Sequence, residues 1–184
     1  ELLIVIVVIG ILAAITIVAF NGIRDRAENS RRVTAAKEWV KVFNGYVTAN
    51  GAYPFTPGVY CIGETNITNF DGNVDQDCGV SINLKHDNTP TGASFNSAMK
   101  TFASLPQFPG EPVQLDANTQ GLGMLMRAET NTTDGRFYPT LIFFLSGSNQ
   151  DCVVGPLATP YAGGNFTVTS AKNSYSSVGT ACRV

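Results

Sequence analysis

The stretch LLIVIVVIGILAAITIVAF, residues 2 to 20, decides the fold: nineteen consecutive residues carry no charge. At about 1.5 Å per helical residue it extends roughly 28 Å, close to the ~30 Å hydrocarbon core of a bilayer. It is long enough to cross a membrane once as a helix. Glu1 stands directly before it. A carboxylate at the edge of hydrocarbon costs on the order of a few kcal/mol unless it is paired, so a simple anchor gains nothing from this residue. Glu1 calls for a cationic partner.

Beyond the span the apolar pattern changes from continuous to periodic. Ala36, Trp39, Val40, Phe43, Tyr46 and Val47 recur at helical spacing, while Lys37, Glu38, Lys41 and Asn44 occupy the other face. This spacing predicts an amphipathic helix packed on the rest of the protein. It ends at Asn50-Gly51, where the chain turns through Ala52-Tyr53-Pro54. No proline lies between Glu1 and Tyr53, so one mostly continuous helix is expected, with any melted part confined to about Gly10 to Gly22. Two regions follow: a helix over 1–50, with 1–20 as the span and 21–50 as the packed part, and a head over 51–184.

The head has 134 residues, enough to bury one core. Residues 1–42 carry six basic and four acidic side chains, and residues 43–184 carry six and ten. Neither part has the basic excess of a nucleic-acid binder. Gly, Ser, Thr and Asn are abundant in the head, a composition suited to short strands and turns. All four cysteines, Cys61, Cys78, Cys152 and Cys182, lie there. An even number in an exported domain points to two disulfides, and four cysteines allow three pairings. Adjacency in sequence order favours Cys61 with Cys78 and Cys152 with Cys182. Zinc is disfavoured, since no two cysteines have knuckle spacing and His86 is the only histidine.

Within the head, 54–90 shows little periodicity and reads as a long loop. Phe95, Met99 and Phe102 predict a short helix over Ser94 to Leu105, stopped by Pro106. Leu122 to Ala128 and Arg136 to Leu145 read as a hairpin about Asp134-Gly135, with Pro139 demoting part of the second strand to an edge. Cys152 to Val154, Phe166 to Thr169 and Ala181 to Val184 are shorter strand candidates. The aromatic residues Phe137, Tyr138, Phe143 and Phe144 are expected in the core or on a sheet face.

Asp71, Asn73, Asp75 and Asp77 place oxygen ligands at alternate positions of a Gly-containing loop, an arrangement that suits calcium. The loop departs from the EF-hand at Gln76, where that motif has Gly, and at Ile82, where it has Glu. Calcium binding and a solvated acidic turn both stay open. Asn66, Asn131 and Asn165 head N-glycosylation sequons, which arise by chance in a chain this rich in Asn and Thr. No catalytic constellation stands out, and an enzyme is not expected.

The order of residues from Glu1 to Ile15 resembles the N-terminal segment of the type IV pilin and pseudopilin family, and the phrase Ala49-Asn50-Gly51-Ala52-Tyr53-Pro54 is similar to pilins as well. The patterns above give a long N-terminal helix packed on an antiparallel sheet of three to five strands, and this agrees with the α+β type IV pilin fold that the resemblance implies, a long N-terminal hydrophobic helix packed on an antiparallel β-sheet head. The resemblance implies an acid at Glu1 that neutralises a neighbour's N-terminal amine during assembly. It also implies a filament core containing Leu2, Leu3, Ile4, Ile6, Ile9, Ile11, Leu12 and Ile15. The subunit would sit in the membrane before assembly, after a prepilin peptidase removes a basic leader. Inner-membrane assembly machinery would then stack identical copies into a surface pilus for adhesion, motility or DNA uptake. Arg24, Arg26, Arg31 and Arg32 all follow the span, a bias that alone would leave the head in the cytoplasm. The family's basic leader would reverse it. A major pilin is the leading expectation; a pseudopilin or minor pilin and a monomeric membrane-anchored binding module are the rivals.

Overall fold

The computed structural model describes residues 2–54, 57–62, 67–68, 74–75, 78–80, 85–86, 97–109, 112–115, 120–130, 137–154, 171–175 and 179–183. Helix α1, Leu2–Asn50, is unbroken over 49 residues. Ile and Val are modest helix formers in water, but in a medium without water the helix's own carbonyls are the only partners for its N–H groups. Gly10 and Gly22 lie in the unbroken helix, and a Cβ at either would meet nothing within 4 Å. The helix stops at Gly51, whose φ of 73° suits glycine and whose N–H donates to the Val47 carbonyl at 2.8 Å. The Asn50 amide donates to the Tyr46 carbonyl at 3.0 Å.

The strands are β1 Gly58–Cys61, β2 Ile67–Thr68, β3 Val74–Asp75, β4 Cys78–Val80, β5 Lys85–His86, β6 Val113–Gln114, β7 Gln120–Leu122, β8 Met124–Thr130, β9 Phe137–Ser146, β10 Ala171–Tyr175 and β11 Gly179–Arg183. A short helix, α2, covers 97–102. The main sheet has the order β1-β8-β9-β11-β10 and is antiparallel throughout. A smaller antiparallel sheet runs β5-β4-β7-β6, and β2 pairs with β3. The protein is therefore α+β, a long N-terminal helix on an antiparallel sheet.

Several sequence expectations change here. The stretch 54–90 is not one long loop: it supplies β1, an outer strand of the main sheet, and four shorter strands. The run from Leu122 is split at Gly123, whose φ of 61° turns the chain out of the small sheet and into the large one. Cys152 to Val154 is not a strand. Pro139 sits in a central strand, yet in the half where β9 is paired with β8 at Ala128 while β11 reaches only to Ile142. The missing donor is tolerated because that half is an edge on one side. Phe166 to Thr169 and the turn at Asp134-Gly135 fall outside the described residues.

The main sheet is covered on both faces, and its residues alternate accordingly. Leu141, Phe143 and Leu145 of β9, Met124 and Met126 of β8, and Tyr60 of β1 join the cluster formed with Ala36, Trp39, Val40 and Phe43 of α1. Ile142, Phe144, Leu125 and Cys61 point the other way and pack with Val113, Leu115 and Cys78. Two covered faces explain why Leu141 to Leu145 of β9 read as an unbroken apolar run and not as an alternating one. Glycine is required at Gly121 of β7, where a Cβ would overlap the Phe144 ring. The small sheet can lie this close only without a side chain there.

The disulfides join Cys61 to Cys78 and Cys152 to Cys182. The first fastens the large sheet to the small one. The second holds the segment after β9 against β11. They close separations of 17 and 30 residues, worth about 3 and 3.5 kcal/mol in the chain-entropy account. Replacing both Cys152 and Cys182 by serine should lower the unfolding free energy by about 3 to 4 kcal/mol in a denaturant titration. A loss below about 1 kcal/mol would show that the bridge is not a structural constraint.

Candidate functional site

Two halves of one helix live in different surroundings. Every described side chain from Leu3 to Ala27 is exposed, and contact with the head begins at Glu28 and Asn29. Thirteen large apolar residues of this rod, from Leu3 at 70% to Ile23 at 66%, lie open on all sides. They include Ile4, Ile6, Ile9, Ile11, Leu12 and Ile15; Glu1 and the side chain of Leu2 fall outside the described residues. A helix that is apolar all round has no face to offer water. Covering thirteen half-exposed side chains at about 1 kcal/mol each would gain on the order of 10 kcal/mol, a surface suited to lipid or to other protein. By length and composition it can cross a membrane.

The junction is built from polar residues that the apolar stripe did not reveal. The Asn29 side chain, nearly buried, donates to the Ser146 carbonyl at 2.8 Å and accepts from the Ser146 N–H at 2.9 Å. It binds the last residue of β9 as a neighbouring strand would. Beyond it, the Thr180 hydroxyl donates to the Gly147 carbonyl at 2.7 Å and accepts from the Gln150 N–H at 3.0 Å. One turn along α1, Arg32 is buried with its guanidinium 5.8 Å from the centre of the Phe108 ring. A signal for both was present: counting back from Ala36 by four and seven places Arg32 and Asn29 on the buried face.

Further along, Trp39 is fully buried, 5.4 Å from Phe43 between ring centres, and its Nε1–H donates to the Pro106 carbonyl at 3.2 Å. Tyr46 meets Phe102 of α2 edge-on at 5.3 Å. Burial pushes the Tyr53 phenol well above its usual pKa, so it stays neutral where it packs against the core. Between α1 and the 107–109 segment lies a cleft of about 490 Å³, lined by Ser30, Arg31, Thr34, Glu38, Gln107 and Phe108 among others.

The acidic loop cannot be placed as a set. Asp71, Asn73 and Asp77 fall outside the described residues, and the Asp75 backbone belongs to β3. Among the described residues, no three His, Cys, Asp or Glu side chains gather where they could hold a metal. Asn66, Asn131 and Asn165 also lie outside, and His86 is described only as backbone in β5.

No family model matches the chain, and no curated protein or solved structure does. What fold and site define together is a class: a disulfide-bonded α+β head carried on one helix, whose uncharged run from Leu2 to Phe20 is long enough to span a bilayer.

Proposed function

We propose that this chain is the major structural subunit of a type IV pilus, held in the membrane by the rod and then stacked with identical copies into a surface filament. The observation that carries the reading is the bare rod, continuous with the helix that anchors the head. One apolar surface then serves two environments, lipid before assembly and neighbouring rods afterwards. Unlike surfaces meeting head to tail give an open filament instead of a closed ring. Glu1, directly before the apolar run, supplies the charge that a neighbour's amine would neutralise, and the disulfides suit a head facing an oxidising exterior. An assembly machinery and a prepilin peptidase belong to this reading through the resemblance at Glu1 to Ile15. Adhesion, surface motility and DNA uptake are the roles it offers.

Electron microscopy of the sheared surface fraction, with an antibody against the head, tests the proposal. Filaments labelled along their whole length are expected. Label confined to filament tips, with little protein in the fraction, would make the chain a minor pilin or pseudopilin. Label only on the cell membrane would leave a monomeric anchored module.

A further inference from the structure

The charged residues that follow the apolar run are spaced for a lipid surface. Counting from Phe20, the last residue of the apolar run, Arg24 lies about 6 Å further along the axis, Arg26 about 9 Å and Arg31 about 16 Å. The polar layer on each side of a bilayer is roughly 5 to 8 Å deep. Arg24 and Arg26 therefore sit in or at the edge of that layer whenever the rod fills the hydrocarbon, and Arg31 sits beyond it.

Their partners divide in the same way. The Arg31 guanidinium is paired with Glu28 at 3.0 Å. Arg24 and Arg26 are exposed and make no ion pair among the described residues. Two residues apart on a helix, they point about 200° from each other, so they reach opposite sides of the rod. Asp25 lies about a quarter-turn from each, too little charge to neutralise both. Planar guanidinium groups bind phosphate oxygens through paired hydrogen bonds, and their long stems can lie along the apolar helix while the charge stays at the interface.

From this geometry we infer that Arg24 and Arg26 bind lipid phosphate groups on the head side of the membrane while the subunit is stored there. The inference rests on the membrane-stored state proposed above. Contacts on two opposite sides hold the helix upright and fix its depth, and extraction into a filament must break them. Membranes rich in anionic lipid therefore retain the subunit more strongly.

The test is solid-state NMR of the full chain in vesicles of phosphatidylethanolamine with phosphatidylglycerol, with arginine carrying a labelled guanidinium carbon and phosphorus as the dephasing nucleus. The chain has seven arginines. The signal of two is expected to be dephased by lipid phosphorus, and R24Q/R26Q should abolish the effect. Both positions lie on the exposed rod, away from the head. Buried Arg32 and the exposed Arg127 of β8 should stay silent in either protein. Dephasing that survives in R24Q/R26Q overturns the inference. So does its absence while the rod's methyl groups contact acyl chains, an outcome that leaves membrane storage intact. A rod without acyl contact overturns both.

Discussion

Cells making the Glu1→Ala chain should carry the folded, disulfide-bonded head in their membranes and no surface filaments. The substitution leaves the apolar run from Leu2 to Phe20 untouched, so insertion is unaffected. On the pilin reading proposed above, what it removes is a charge that must find a partner in the apolar core of the filament. Truncating one member of a buried, hydrogen-bonded charge pair costs on the order of 2 to 5 kcal/mol, and at every subunit contact even 2 kcal/mol is a factor of about 30. A helical polymer repeats that loss at each step. Counting filaments in the sheared fraction decides the matter, with non-reducing electrophoresis to show that the head is intact. Filaments of normal length and number would show that the acid has no part in assembly.

The largest effect on stability is expected from Trp39→Ala. This side chain has no exposed surface, stacks near Phe43 and donates to the Pro106 carbonyl. Removing it leaves a cavity between α1 and the sheet and a carbonyl without its donor; together these cost about 3 to 5 kcal/mol. Phe102→Ala is the contrast, because Phe102 is 40% exposed and packs on the outside of α1; about 1 kcal/mol is expected there. Trp39 is the only tryptophan, so circular dichroism must follow denaturation in place of fluorescence. Equal losses for the two variants would mean that α1 is not packed on the sheet through this stripe.

Local periodicity made the helix and the central hairpin readable. The run from Leu2 to Phe20 and the stripe from Ala36 to Val47 each repeat over several turns, and β8 and β9 are long apolar segments joined by a short connection. Strand β1 was lost in a stretch read as loop, because four residues have no period to detect and their partner, β8, lies more than sixty residues away. The small sheet was invisible for a similar reason: its strands are two or three residues long and are held by Gly121 against Phe144 and by the bridge to Cys78. Cys152 to Val154 has the composition of a strand but is kept in place by its disulfide and not by a ladder. Asn29 and Arg32 escaped because the stripe was counted from apolar residues alone, beginning at Ala36, although their spacing from Ala36 matched the buried face.

Counting from the rod, the Asn29 clamp is the first hydrogen-bonded junction between α1 and the sheet, ahead of the apolar stripe from Ala36 to Phe43. A pull along the rod arrives at Ser146, the last residue of β9. There β11 runs alongside, with Gly179 opposite Ser146, while β8 reaches only as far as Phe143. The clamp therefore acts where one ladder runs alongside, reinforced by the Thr180 hydroxyl bridge and the Cys152–Cys182 crosslink. Cys152 follows Ser146 by six residues and is bonded to Cys182 of β11, so a covalent link limits how far β9 and β11 can part at the end that the rod pulls on.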